Sequence, residues 1–504
     1  MVDTTSYVRG TVLLAGRIDE VLRRDWGLII GNDRVAATDG ASYPSIDPAT
    51  EEVLAHAPDA SPADVDRAVA SSASAFTAWR RVAPLDRAAA VREIAGLLRE
   101  HIDELSLLDA LDGGNPVSAT RHDVEVAACL LERFADWALM LRGETIPATS
   151  AGLHYTKQEP YGVVGRIIPF NHPVMFSAGK LGAPLVAGNT VVIKAPPQTP
   201  LSALRVGELC AQVLPPGVVN VLTSPSPAIG AAVARHPDVR RIALIGSEQA
   251  GRAAVQAGAE GGVKFVTLEL GGKNAMVVRP DADLERAAHA AVEGMNFTRC
   301  QGQSCGSNSR LLIHRSVAEE VTERIVDLVQ RIRIGLPVDP STEMGPLVSA
   351  EQLARVNAYV DSACTEGARL RTGGGRPENL RRGFFLEPTV FSGVTPQMRV
   401  AREEIFGPVL SILTFDTDAE AIEIANSVPY GLTASVWTRD LDVAFWYIDG
   451  FDAGYTWVND AGRHYPGLPF GGYKASGIGR EEGLSELIEM TQTKSVSVRL
   501  AGSG

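Results

Sequence analysis

The sequence predicts an α/β protein with two wound sheets and a small β extension. Three patterns predict it. From residue 162, short β-branched runs alternate with stretches of helical character, as a parallel sheet with crossover helices requires. After residue 275 a second block alternates in the same way. Near 149–160 and 493–500, polar and apolar residues alternate, the period of half-exposed strands.

The chain has 504 residues, which is more than one simple core accommodates, so two or three domains are expected. Its first clear element is a helix over 61–80. Ser61 caps it, Pro62 suits its first turn, Asp64 completes a capping box, and Val65, Val69, Ala73, Phe76 and Trp79 recur at helical spacing. A second amphipathic helix runs from about Pro84 to Arg99, with Val91, Ile94, Ala95 and Leu98 on one face. The runs GVVGRIIP, TVVIKA, VVNVLT, RIALIG and KFVTLEL are the strands of the first sheet. Ligands of such sheets gather beyond the carboxyl ends of the strands, which directs attention to the loops after Pro169, Lys194, Gly246 and Leu270. The second block has AMVV and a helix near 283–294, then RLLIH (310–314) and a helix near 316–334, then FFLEPTVFSG, PVLSILTF and ASVWTR. The alternating segments TSAGLHYTKQEP (149–160) and TKSVSVRL (493–500) read as exposed strands available to pair with another subunit.

Composition excludes several classes. Hydrophobic residues make up 45% and charged residues 21%, and the 49 glycines and 30 prolines are spread along the chain, so the sequence is globular rather than disordered. Net charge is −13 with no basic run, which argues against nucleic-acid binding. Arg166 and Lys180 interrupt the two longest apolar stretches, so neither reads as a membrane span. The first twenty residues do not have the form of a signal peptide. Five cysteines, at 129, 210, 300, 305 and 364, are too few and odd in number for a disulfide framework, and a reducing cytoplasm is expected. No metal is expected.

The chemistry concentrates in a few segments. RCQGQSCGSN holds Cys300 and Cys305 among glycines that let backbone approach a ligand closely. A thiolate there would attack a carbonyl, but taken alone either cysteine reads sooner as a small packed hydrophobe. LELGGKN places Glu269 at a strand end, suited to a site or to a helix cap. IIPFNHP places Asn171 just past another strand, where its amide could donate to a developing oxyanion or serve a turn. IGSEQAG places Gly246 and Ser247 at a strand-to-helix turn that favours phosphate.

Together these segments resemble the aldehyde dehydrogenase superfamily. PFNHP, GNTVVIK, the Gly246–Ser247 to Gly251 turn, LELGGKN, GQSC, EEIFGPV, WVN and PFGGYKASGIGRE stand in the family's order and spacing along nearly the whole chain. The resemblance implies that Cys305 is the nucleophile, since the family's cysteine ends a QGQxC-like segment, and gives Cys300 no family role. It implies an oxyanion site from the Asn171 amide and the Cys305 N–H, Glu269 as the base that activates water, and Lys180 in support. For NAD or NADP it implies Lys194 at the adenosine ribose, Gly246 and Ser247 at the pyrophosphate, Glu404 on the nicotinamide ribose and Phe406 beside the ring, with Pro169 and Leu270 on the bordering loops. The expected product is a free acid. The alternatives are transfer to coenzyme A, which a carboxylate at 269 disfavours, and a non-catalytic scaffold subunit. A cofactor-free cysteine hydrolase would leave the Gly246–Ser247 turn and EEIFGPV without purpose.

Two departures from the family matter. Many NAD-preferring members carry a glutamate three residues after the strand-end lysine, and this chain has Pro197, which neither binds a 2′-hydroxyl nor repels a 2′-phosphate. NADP is therefore expected to be tolerated. On the substrate side, His172, Gly179, Arg299 and His464 fall on tunnel positions, with Arg463 beside the last. Glycine widens a pocket, and arginine and histidine suit a carboxylate or hydroxyl, so a bulky or aromatic aldehyde with an acidic or polar substituent is expected. The competing reading pairs Arg299 with a nearby acid.

The resemblance thus resolves the α/β class into a Rossmann-like parallel-sheet cofactor domain (1–141 and 161–271), an α/β catalytic domain (272–487) and a small β oligomerisation extension (142–160 and 488–504). A homodimer or homotetramer is expected.

Overall fold

A computed structural model describes residues 23–500. The N-terminal twenty residues and the outermost ends of the 1–141 and 488–504 segments lie outside them.

An eight-stranded sheet runs in the order Asp33–Val35, Leu28–Ile30, Val219–Leu222, Thr190–Lys194, Val163–Ile167, Val239–Ile245, Phe265–Glu269 and Gly477–Ile478. Its five central strands are parallel. From Val163–Ile167 the chain adds two strands on one side, then crosses and adds two on the other. The winding therefore reverses between Val163–Ile167 and Val239–Ile245, and a crevice opens past their carboxyl ends. The central strands are β-branched and buried on both faces, as sandwiching between helices demands. Helices Pro84–Glu100, Val117–Asp136 and Leu201–Val213 cover one face through Val91, Leu131, Phe134 and Leu204.

A seven-stranded sheet has the order Arg369–Thr372, Thr389–Ser392, Val409–Phe415, Arg310–His314, Ala275–Val278, Thr433–Trp437 and Tyr455–Val458. All pairs are parallel except the first. FFLEPTVFSG yields only Thr389–Ser392, because Pro388 has no N–H to join the ladder. The carboxyl end of Phe265–Glu269 passes through Gly271, Gly272, Lys273 and Asn274 into the amino end of Ala275–Val278, so the crevice faces the start of the second sheet. Strand Gly477–Ile478 falls inside the expected 272–487 unit, yet it pairs antiparallel with the Glu269 strand on the edge of the first sheet.

The helix read at 61–80 spans Pro62–Trp79, and the Asp64 carboxylate accepts the Ser61 N–H at 2.9 Å. The two alternating segments pair with each other: Gly152–Pro160 lies between Thr145–Thr149 and Thr491–Arg499 in a three-stranded antiparallel sheet. Among the described residues no helix is long and apolar enough to cross a membrane. The charges that break the apolar stretches are buried and paired: Arg166 and Lys180 both meet Glu481, at 2.8 and 2.9 Å.

Candidate active site

The Cys305 loop is shaped by backbone first. After a short helical turn at Phe297–Cys300, Gln301 and Gly302 take left-handed conformations, with φ of 55° and 68°, and reverse the chain. A side chain at 302 would meet the Gly407 carbonyl at 2.4 Å, so only glycine fits. Asn274 then fastens the loop: its amide donates to the carbonyls of Cys305 at 2.7 Å and Ser307 at 2.9 Å. The Cys305 side chain is half-buried and packs against Leu432, Tyr455 and Phe470. Burial, then the charges of Glu404 and Glu269, push its thiol up to about 12. Cys300 is fully buried near His172, and all five cysteines are free.

Glu269 ends its strand with both carboxyl oxygens buried and without a hydrogen-bond partner. Its Oε1 lies where a Cβ on Gly471 would come within 2.7 Å. Burial raises its pKa well above the usual carboxylate range, Glu481 and Glu482 add to the shift, and Lys180 and Arg480 oppose it. Asn171 is buried, and its own carbonyl is held by the Asn115 amide at 2.8 Å. Its side-chain amide makes no hydrogen bond among the described residues, and its Oδ1 is buried without a partner. Lys180 is not a free cation. It pairs with Glu481 at 2.9 Å and Glu482 at 3.4 Å, and these keep it charged against the penalty of burial.

The cofactor candidates gather at or near the carboxyl ends of the first sheet's strands. Lys194 is buried, donates to the Ser224 carbonyl at 2.9 Å, and is lowered to about 8 by burial. The Gly246 N–H is already committed to the Glu269 carbonyl at 3.0 Å, which removes it as a phosphate donor. Ser247 is exposed and caps helix Glu248–Glu260, its hydroxyl accepting the Ala250 N–H at 3.2 Å. Glu404 rests on the paired glycines of LELGGKN: the Gly272 N–H donates to it at 3.1 Å, and a Cβ on Gly271 would lie 2.0 Å from its Oε2. Burial raises Glu404 to about 7. Phe406 has φ of 58°, an uncommon strain for a bulky residue, and meets Phe170 edge-on at 5.6 Å. Pro169 is half-buried at the crevice, and Leu270 is buried with its N–H on the Ser476 carbonyl at 2.9 Å.

The substrate candidates divide. Arg299 pairs with buried Asp123 at 3.2 Å, so the competing reading of that residue holds. The same carboxylate binds His172 Nδ1 at 2.6 Å. Burial opposes charge on His172, but Asp123 and Cys300 carry it up to about 10. Gly179 does not widen a tunnel: a Cβ there would point at Leu130 and Ala127, 3.1 and 3.2 Å away, so glycine lets this turn approach helix Val117–Asp136. His464 sits in an exposed loop, bonds Glu482 at 2.9 Å, and stacks on Phe470 at 4.2 Å and Tyr455 at 5.6 Å.

Sequence reasoning missed Glu481, Glu482, Asp123 and Asn274. The end of PFGGYKASGIGRE contains Glu481, and LELGGKN contains Asn274, so both stood inside quoted segments. Asp123 carried no local signal, being one polar residue on an amphipathic helix.

The aldehyde dehydrogenase family model matches residues 35–496. The chain belongs to the aldehyde dehydrogenase family. As such it is an oxidoreductase that oxidises aldehydes with a nicotinamide dinucleotide. This aldehyde dehydrogenase is 45% identical to the aldehyde dehydrogenase tropH of Talaromyces stipitatus over 468 residues, 91% of this chain and 90% of the relative. An NAD+ complex of the Bacillus cereus aldehyde dehydrogenase superposes with a TM-score of 0.93 at 39% identity, covering 96% of this chain and 98% of the other. The P. syringae indole-3-acetaldehyde dehydrogenase AldA, solved with NAD+ and IAA, superposes with a TM-score of 0.93 at 37% identity, covering 96% and 99%.

Proposed function

We propose that this enzyme oxidises a bulky or aromatic aldehyde bearing an oxygen substituent to the free acid, through a covalent intermediate on Cys305. The observation that carries the proposal is a half-buried Cys305 thiol that feels the charge of Glu269, a buried carboxyl without a hydrogen-bond partner among the described residues; the uncommitted Asn171 amide, just past a strand of the same sheet, supports it. The Cys305 sulfur adds to the aldehyde carbonyl and forms a thiohemiacetal. The Asn171 amide and the Cys305 N–H hold the oxyanion. A nicotinamide dinucleotide, held there, would supply the two-electron acceptor for the hydride that the thiohemiacetal carbon loses on becoming a thioester. Glu269, once ionised, takes a proton from water, hydroxide adds to the thioester carbon, and the C–S bond breaks.

The residues fit the dinucleotide. The crevice lies at the point where the sheet reverses, Ser247 opens a thirteen-residue helix beside it, and the glycine pair leaves Glu404 room that any side chain would fill. Lys194 and Ser247 would hold the adenosine end and pyrophosphate, and Glu404 and Phe406 the nicotinamide end. Pro197 makes NAD and NADP comparable oxidants. The solved AldA complex with IAA shows that a relative of this fold accommodates a bulky aromatic group, which supports the substrate size.

The test is a panel of aliphatic, aromatic and acidic aldehydes with each dinucleotide, run with and without coenzyme A. Turnover independent of coenzyme A, and a Glu269→Gln variant that accumulates an acyl mass on the Cys305 peptide, are the expected results. An absolute need for coenzyme A would overturn the hydrolytic reading.

A further inference from the structure

His464 is held more firmly than an exposed loop residue needs to be. Its neighbours are tied down on both sides: the Trp457 indole N–H donates to the Arg463 carbonyl at 2.6 Å, and the Tyr465 N–H donates to the Tyr455 hydroxyl at 3.0 Å. Its ring stacks on Phe470 and Tyr455 with interplanar angles of 23° and 30°. Those two aromatics are the ones Cys305 packs against, so histidine and nucleophile stand on one wall. Glu482 completes the hold. It is a non-glycine residue at φ 66°, with Gly483 next to it, and its half-buried carboxylate bonds His464 Nδ1 at 2.9 Å and Lys180 at 3.4 Å. A carboxylate only accepts, so Nδ1 carries the hydrogen, and the opposite ring nitrogen has no partner among the described residues. Arg299, the other cation expected at the substrate, is already taken by Asp123.

We propose that Glu482 is a positioning residue that fixes His464 on the wall it shares with Cys305, so that the free ring nitrogen receives an oxygen substituent of the aldehyde. The inference rests on the reading that Cys305 oxidises an aldehyde, and it names the group that selects among aldehydes. A neutral ring accepts from a hydroxyl at that nitrogen, and a charged ring donates to a carboxylate. Both substituents share one chemistry, an oxygen presented in the plane of the imidazole.

The experiment compares kcat/KM for 4-hydroxybenzaldehyde, 4-carboxybenzaldehyde and 4-methylbenzaldehyde in the wild type, Glu482→Leu, which leaves no acceptor for Nδ1, and His464→Phe. Phenylalanine keeps the stacking and removes the nitrogen. The wild type is expected to prefer the better oxygen-bearing aldehyde over the methyl isostere by roughly tenfold, the scale of one hydrogen bond to a polar site. Both variants should bring that ratio to about one, with the loss in KM. Glu482→Leu also removes a partner of Lys180, and any effect on kcat common to the three aldehydes cancels in the ratio. A ratio unchanged in both variants, or equal kcat/KM for all three aldehydes in the wild type, overturns the proposal. Cys305→Ala separates the parent reading: turnover surviving in that variant defeats oxidation through Cys305 whatever the selectivity.

Discussion

Cys305 and Glu269 are both held protonated by their surroundings, and each must lose a proton to act. The thiol is raised by burial and by two carboxylates, and no cation among the described residues offsets them. Its alkylation by iodoacetamide should therefore keep rising with pH beyond 9, slower at pH 8 than for an ordinary cysteine. Mass spectrometry of the 305 peptide reads this directly, and a plateau near neutrality would show a cation within reach of the sulfur. Glu269, raised above the ordinary carboxylate range, ionises late, so the hydrolytic step should keep accelerating with pH beyond the range where an ordinary carboxylate is fully ionised, and lose that limb in Glu269→Gln. His172 supplies a stability counterpart. Its folded pKa of about 10 lies above the unfolded 6.5, so its pairing with Asp123 stabilises fully below pH 6.5 and is lost as pH rises towards 10. Thermal melts across that window should fall less steeply in His172→Gln. Arg299 and Gly179 show where single residues mislead: each has the right chemistry at the right sequence position, and each is directed instead at a helix of the first domain, Asp123 in one case and Leu130 in the other.

At the scale of elements, the LELGGKN turn matters most. Its strand delivers Glu269, its glycines seat Glu404, and its asparagine holds the Cys305 loop. Gly271→Ala would drive a methyl into the Glu404 carboxylate, and the Michaelis constant for NAD should rise at least tenfold while the melting temperature changes by only a few degrees. An equal KM in that variant would detach Glu404 from the cofactor. The strands and helices around this turn were legible because period and capping are local properties: Ser61, Pro62 and Asp64 mark a helix start without help from elsewhere. The polar chain from Arg166 through Glu481, Lys180 and Glu482 to His464 was not legible, because Arg166 and Lys180 lie more than three hundred residues before the two glutamates they meet.

For the whole molecule, two expectations remain to be measured. Strand Thr491–Arg499 closes one edge of the small sheet with mostly exposed residues, and Thr145–Thr149 closes the other. Unpaired strand edges favour addition of further strands, so light scattering should give a dimer or tetramer, and a proline in the middle of Thr491–Arg499 should shift the mass downward. With Pro197 at the cofactor position, NAD and NADP should differ by less than about tenfold in kcat/KM. A hundredfold preference for NAD, about 2.7 kcal/mol, would show that another group excludes the 2′-phosphate.

The sequence by itself determined the alternation of strands and helices, the crevice at their carboxyl ends and the segments that carry the thiol, the amide and the carboxylate, since each depends on neighbours a few positions away. Only the tertiary structure decided which charges are free. Asp123 takes Arg299, Glu481 takes Lys180, and Glu482 takes His464, because pairing of buried charges is settled by which elements the fold brings within three or four ångströms, and that distance is not written in any one segment.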